Sequence, residues 1–350
     1  MELIKNLNND FLDENHIQKI NDKKFPDLTL FKYSKDKSNF EKVEVNQARG
    51  IILNKTNEII CYSLNKFNNK DNKDDNYFNN IWNECIIEEA IDGTQIRLYY
   101  YNNEWQVTTA RRILADNSKW NYVKTFQELF NDVKENIDYT LLNKDYTYTF
   151  ILKHIENRIV SNIKKNELIH IHTRNNKTCE EVNVDINVKK PCVYHFDSYE
   201  ELLKDLNNLT FETKGYVLKY QHERYMFISE EYNKVKNLKG NHLNKLYHYY
   251  DLIKKQQLDE FLLYFPEYKI IFSNIQNDLN YFINKIHNLY LDVNIKKSVK
   301  LNEIQKEFRK TIYDLHGIYL KDKTIITFDI VKDYIYKLHP GLIVKLIKIN

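Results

Sequence analysis

The chain has 350 residues, 42% hydrophobic and 29% charged, with only 6 Gly and 4 Pro. Those proportions exclude collagen-like and Pro/Gly-rich disordered classes and leave room for about two domains with real cores. Lysine plus arginine (52) barely exceed aspartate plus glutamate (49), a net charge of +3, so any anion site must come from local placement of cations.

Four cysteines, Cys61, Cys85, Cys179 and Cys192, are too few and too dispersed for a disulfide framework or a zinc ribbon, which points to a reducing compartment. The sequence has no run of ~18 apolar residues, and its first ten residues, MELIKNLNND, lack a basic segment followed by an apolar one. A soluble, cytoplasmic protein with no membrane partner is expected. The many Asn, Lys, Ile and Tyr residues suit an A+T-rich genome such as that of a large DNA virus or a parasite, and for a virus the cytoplasm is the host's.

From residue 29 to about 240 the pattern is mostly strand-like. Strands are predicted at Ile51 to Leu53, Ile59 to Tyr62, Thr94 to Tyr101, Trp105 to Thr109, Tyr146 to Leu152 and Gly215 to Tyr220. Their β-branched and aromatic content between Asn, Asp and Gly turns favours antiparallel pairing, and Asn102-Asn103 is a hairpin signal. The polar run at residues 65–80 is read as a solvated loop. Helices are predicted at Phe126 to Asn136 and at Tyr199 to Asn207, the second capped by Ser198. After about Asn241 the apolar residues recur at helical spacing, as in Leu246, Tyr249, Tyr250 and Ile253, so the last third is predicted helical.

Several features suggest chemistry but have a plainer structural reading. His170 and His172 share a strand face, a spacing compatible with two metal ligands, yet no cysteine or carboxylate pattern completes a site. Tyr99, Tyr100 and Tyr101 could stack a base, although tyrosines in a strand more often pack a sheet. The pairs Lys254-Lys255 and Lys296-Lys297, with Lys300, and Arg309-Lys310 sit among acidic residues as solvated helix faces do.

The segment ECIIEEAIDGTQIRLYYY places a strand before the turn Asp92-Gly93 and another strand after it. This resembles motif I of the covalent nucleotidyltransferases, normally Lys-x-Asp-Gly. Further segments follow in the order seen in the phage T4 RNA ligase 1-like group. Ala48-Arg49-Gly50-Ile51 and Lys66-Phe67-Asn68 precede motif I. Residues 146–160 resemble motif III, 192–206 the region after it, 213–220 motif IV and 233–237 motif V. The resemblance implies an α+β fold: an antiparallel-sheet, ATP-grasp-like ligase domain over residues 1–243, then an all-helical domain over residues 244–350.

In that group a lysine amine attacks the α-phosphate of ATP, and two glutamates help to hold a metal ion and the nucleotide. The amine must be partly deprotonated, which neighbouring cations promote. Here the sequence departs at three places. Ala90 stands at the position of the nucleophile, Ile151 at the motif III glutamate and Lys214 at the motif IV glutamate. Losing one positive charge, losing one negative and exchanging a negative for a positive leave the pocket two units more positive. A divalent cation loses two ligands and faces an ammonium instead, so no metal site is expected.

The resemblance leaves Arg49, Lys66, Asp92, Gly93, Lys214, Lys234 and Lys236 as nucleotide- or phosphate-binding candidates, with Asp92 available to sugar or backbone donors. Arg111, Arg112 and Lys119 are RNA-contact candidates, because this region approaches nucleotide and RNA in the group. Glu212 shares a strand face with Lys214, so Glu212, Glu88 or Glu89 can supply a relocated carboxylate. The expected function is an RNA ligase-like protein with a degenerate site that binds RNA ends (5′-phosphate or tRNA-like) or a nucleotide, without forming lysyl-AMP and with no required cofactor. Two alternatives stay open. One is a working ATP- and Mg²⁺-dependent RNA ligase, either with a displaced site or altered from Lys to Ala at position 90. The other is a scaffold that docks a protein through the helical domain.

Overall fold

The computed structural model describes residues 1–70, 73–118, 124–242 and 244–348. The chain divides into two compact units, Met1–Asn237 and Leu238–Asn350.

The first unit holds three sheets. The first is β1 (Ile17–Asn21), β2 (Thr29–Tyr33), β3 (Arg49–Leu53) and β4 (Ile59–Cys61), in that order and antiparallel throughout. The third contains β5 (Asn68–Asn69), β6 (Ile86–Glu89), β11 (Val193–Tyr194), β12 (Gly215–Tyr220) and β13 (Glu223–Ile228) in the order β11-β6-β12-β13-β5. Between them in sequence come β7 (Thr94–Tyr101), β8 (Glu104–Thr108), β9 (Tyr146–Lys153) and β10 (Glu167–Asn175), ordered β10-β9-β7-β8. The hairpin between β7 and β8 turns at Asn102 and Asn103, whose φ values of 52° and 61° give the left-handed pair that matches strand twist.

Period-two alternation sorts the side chains of the second and third sheets. In β12 and β13, Tyr216, Leu218, Tyr225 and Phe227 pack on one face with Tyr199, Leu202 and Leu206 of the helix Tyr199–Asn208. Ser198 caps that helix, its side chain accepting from the Glu201 amide at 3.2 Å. In β7 and β9, Ile96, Phe150 and Leu152 pack with Phe126, Leu129 and Phe130 of the helix Phe126–Asn131. Each sheet is therefore backed on one face, and the intervening residues of both strand sets are free to line a cavity.

Three local readings are corrected. Residues 65–80 are not simply a loop: they supply β5, which runs parallel to β13, and the start of the helix Asp75–Ile81. Phe78 and Ile81 from that helix are buried under the third sheet, so two apolar residues among polar neighbours anchor it. The helix at Phe126 ends at Asn131, and a short 3-10 turn covers Lys134–Asn136. A bulge lies between His170 and His172 and turns the intervening Ile171 towards the cavity.

The second unit is helical. Lys245–Lys254, Leu258–Tyr264, Lys269–Tyr290, Lys306–Asp322, Phe328–Lys337 and Pro340–Lys348 bury one stripe each, including Leu252, Phe261, Leu279, Phe282, Ile312, Leu315 and Ile335. Lys255 and Lys296 pair with Asp251 and Asp292 one turn earlier, as solvated helix faces do. No helix among the described residues is long and apolar enough to cross a membrane.

Candidate functional site

A cavity of about 170 Å³ lies where the second and third sheets face one another. Ala90 and Ile91, just past β6, enter it beside Val217, Lys219, Arg224 and Met226 from β12 and β13. Gln95, Ile151 and Ile171 come from the second sheet, and Gln95 is paired directly with Ile151 in the ladder. Arg49, Phe67 and Lys214 also line it. Gly93 permits the close approach: a Cβ there would sit 2.5 Å from the Ile151 side chain and 2.7 Å from the Leu152 carbonyl.

Arg49 is held by neutral acceptors. Its guanidinium donates to the Asn65 carbonyl at 2.8 Å and to Gln95 Oε1 at 3.0 Å, and it lies over the Phe67 ring at 5.1 Å. Gln95 in turn donates to Ser63 at 3.2 Å, and Ser63 shares a 2.7 Å hydrogen bond with Thr149. Beneath this row the fully buried Arg97 donates to the carbonyls of Gly50 (2.5 Å) and Arg49 (3.0 Å) and so fixes the backbone that presents Arg49. Burial is the main force lowering the pKa of both guanidinium groups.

Lys214 precedes β12. The Ala90 amide donates to the Gly215 carbonyl at 2.9 Å, which sets residue 214 beside residue 91. Lys214 Nζ donates to the Ile91 carbonyl at 3.3 Å. Among the described residues no carboxylate comes within ion-pair distance of Lys214 or Arg49. Burial pushes the Lys214 amine down to about 8, against the pull of Asp92 and with help from Lys236 and Arg49.

At the other end of β12 the cations are paired. Lys219 meets Glu88 at 2.6 Å, and Arg224 donates to Glu181. His172 lies 3.8 Å from Glu181, and its pKa falls well below the ordinary value through burial and then the neighbouring Arg174 and Arg224. His170 is pushed down to about 4 by burial, so both imidazoles are neutral parts of the core at neutral pH.

Of the two uses open to Asp92, the structure shows the backbone one. One carboxylate oxygen accepts from the amides of Val160 and Ser161, both at 2.9 Å, and the other accepts from the Tyr232 hydroxyl at 2.6 Å. Asp92 is thus a structural tie that accepts three hydrogen bonds from the protein itself. Of the three carboxylates offered as relocated, Glu88 and Glu89 line the cavity and Glu212 does not. Glu212 lies in a turn, not in β12, and binds Asn162 through its amide, at 2.7 Å, and through its side chain. Glu88 is taken by Lys219.

Of the remaining candidates, Arg49, Gly93 and Lys214 meet at the cavity with Ala90 and Ile151, while Lys66 does not line it and holds its ammonium 4.4 Å above the Phe40 ring. Lys234 and Lys236 are exposed on the helix Glu230–Lys239, and Lys236 is near enough to depress the amines of both Lys214 and Lys35. Arg111 and Arg112 are exposed beyond β8, and Lys119 lies outside the described residues.

Four contributors were missed. Lys35 feels Arg111, Lys236 and Arg49, and Lys32 feels Arg112 and Arg111, so these cations gather near Arg49. These lysines come from a remote segment without a motif. Gln95 and Arg97 left a signal: polar residues inside the apolar run of β7 call for buried partners.

The donors present do not fit a divalent cation. The two positions that the resemblance assigns to glutamates hold an aliphatic side chain and an ammonium, and Asp92 already accepts three hydrogen bonds from the protein. Among the described residues no three His, Cys, Asp or Glu side chains converge on a metal site.

The family model described as RNA ligase, of the T4 RNA ligase 1 type, matches residues 47–243. The chain is 24% identical over 314 residues to an immediate-early protein ICP-46 homolog of Invertebrate iridescent virus 6, a match covering 78% of this chain and 68% of that protein. It is also 24% identical over 226 residues to the ICP-46 homolog of Invertebrate iridescent virus 3, covering 61% of this chain but only half of the relative. Among solved structures, an archaeal ATP-dependent RNA ligase superposes with a TM-score of 0.43 at 12% identity, over 74% of this chain and 67% of that one.

Proposed function

Because this chain belongs to the RNA ligase family of the T4 RNA ligase 1 type, we propose that its cavity binds a nucleotide or the 5′-phosphorylated end of an RNA, and that position 90 no longer forms the family's lysyl-AMP. Ala90 has no nucleophilic atom. The observation that carries the binding reading is the uncompensated charge of Arg49 and Lys214 at one end of a small cleft, an arrangement that an anionic ligand would neutralise. Lys236, Lys35, Arg111 and Arg112 support a path for the following phosphates.

The first unit is the ligase-like part of this proposal, and the helical unit is an appended domain that recognises RNA or docks a protein. Its exposed Leu263, Ile270 and Ile325 favour the docking reading. The unpaired thiols of Cys61, Cys85, Cys179 and Cys192 support a reducing, cytoplasmic setting.

The test is direct binding of ATP, and of one oligoribonucleotide carrying either a 5′-phosphate or a 5′-hydroxyl, measured by anisotropy over a range of salt. Tighter binding of the phosphorylated end, with log K falling linearly as log salt rises, is expected. Equal affinity for the two ends would remove the cavity from the account.

A further inference from the structure

The first sheet ends in a strand with one free side. β1 is bonded to β2 and to no other strand. The Ser34 amide donates to the His16 carbonyl at 3.2 Å, and the Tyr33 amide turns the opposite way, to the Ala48 carbonyl at 2.8 Å. Antiparallel alternation then directs the main-chain groups of Gln18 and Ile20 towards β2 and those of Ile17, Lys19 and Asn21 outward. Ile17 is buried, whereas Lys19 and Asn21 are exposed.

A cavity of about 590 Å³ lies against that strand. Four consecutive residues, Ile17 to Ile20, line it, whereas a sheet face contributes only every second residue, so the cavity opens on the edge of β1. Leu12 and Asp13 of the helix Asn9–Glu14 form part of the opposing wall, and Lys37, from the segment after β2, also lines it. Lys19 Nζ donates to the Asn9 side chain at 2.7 Å, and among the described residues neither Lys19 nor Lys37 meets a carboxylate. The groove thus combines unpaired main-chain groups with two lysines against the single carboxylate of Asp13.

We propose that this groove takes up an extended segment of a partner protein, which adds to β1 as a further strand and sets an acidic side chain against Lys19 and Lys37. An extended main chain supplies donors and acceptors at the repeat of Lys19 and Asn21, and the helix Asn9–Glu14 bounds the space its side chains enter. A second copy of this chain would bring its own Lys19 and Lys37 against the same pair, so the charges select an acidic partner over self-pairing. The groove shares no lining residue with the cavity beside Ala90, and the proposal does not depend on what that cavity binds.

The test uses the full chain and a library of short peptides in which glutamate alternates with valine, isoleucine or threonine. Binding is read by anisotropy and amide exchange by NMR. A binding peptide should slow exchange at Lys19 and Asn21, whereas Gln18 and Ile20 should exchange slowly with or without it. Lys19→Pro removes an outward donor and spares the ladder to β2, while Lys19→Met removes only the charge. The proline variant should bind at least ~10-fold more weakly than the methionine variant, the scale of one main-chain hydrogen bond. Asn21→Pro repeats the comparison at the next outward amide, and near-UV circular dichroism checks each fold. Lys19→Glu combined with Lys37→Glu should shift preference to peptides carrying lysine in place of glutamate. Absence of any binder, equal affinity in the proline and methionine variants, or the same protection given by an oligouridylate overturns strand addition by a peptide. A dimer that protects the same amides and is lost in Lys19→Pro overturns the acidic partner and makes the occupant a second copy.

Discussion

At the Lys219 end of the cavity each cation has its carboxylate, Glu88 for Lys219 and Glu181 for Arg224. At the Lys214 end, Arg49 bonds a carbonyl and an amide oxygen, and Lys214 bonds one carbonyl. The two ends lie along the same strand, yet only one is electrostatically complete. A paired cation in a half-buried place contributes to the fold, whereas an unpaired one opposes folding and is compensated only when an anion arrives. The difference separates residues that hold the cavity from residues that use it.

The largest expected effect lies at the complete end. Glu181→Ala leaves Arg224 nearly buried without its partner and should destabilise the first unit by about 3 kcal/mol, read by urea unfolding. Affinity for a 5′-phosphorylated RNA should stay unchanged under conditions where that variant is folded. A large loss of affinity would place ligand at both ends and break the contrast.

The reverse pattern is expected at the incomplete end. Lys214→Glu should weaken binding of 5′-phosphorylated RNA by about 1.5–3 kcal/mol, the scale of a charge-assisted hydrogen bond, and should flatten the salt dependence of binding. Unchanged affinity and slope in a folded variant would make Lys214 a local structural group.

Stability should move the other way for a neutral replacement. Burial pushes the Lys214 amine down to about 8 in the folded chain, against the ordinary lysine value of 10.5. Between these limits the unfolded chain holds the extra proton, so charged Lys214 opposes folding below pH 8, and the opposition fades as pH rises to 10.5. Lys214→Met should therefore be more stable than the unaltered protein at pH 7 by about 1–2 kcal/mol, a gap that closes by pH 10.5. Urea titrations at pH 7 and 9.5 check the sign. The smallest effect concerns the cations gathered near Arg49: Arg111→Ala should reduce the salt slope of RNA binding by about one unit while costing little affinity for ATP.

How much of this was legible in the sequence depended on whether a feature is local. The β7–β8 hairpin was readable because Asn102 and Asn103 adopt left-handed angles that few residues favour. The helix Tyr199–Asn208 was readable from its cap and its apolar spacing. The helix Asp75–Ile81 was not, because its burial rests on Phe78 and Ile81 amid asparagines and aspartates. Within the site, Arg49 and Lys214 could be placed by the order of the motifs. The roles of Gln95 and Arg97 could not, since Gln95 meets Arg49 across 46 residues and Arg97 meets Gly50 across 47, nor could that of Lys35, which meets Arg111 and Lys236 from distant parts of the chain. Asp92 was identified as an acceptor for sugar or backbone donors, but which donors, the amides of Val160 and Ser161 and the Tyr232 hydroxyl, could not be read from sequence.

That carboxylate fastens three parts of the chain. Through Val160, Ser161 and Tyr232 it buckles the turn after β6 to the segment after β9 and to the helix Glu230–Lys239. Removing it would strand two amides and a phenol at once, a loss the architecture would feel whether or not any bond is made or broken at position 90. An Asp-Gly signature can thus be held by joinery, and pattern recognition that fastens on it detects that joinery before it detects chemistry.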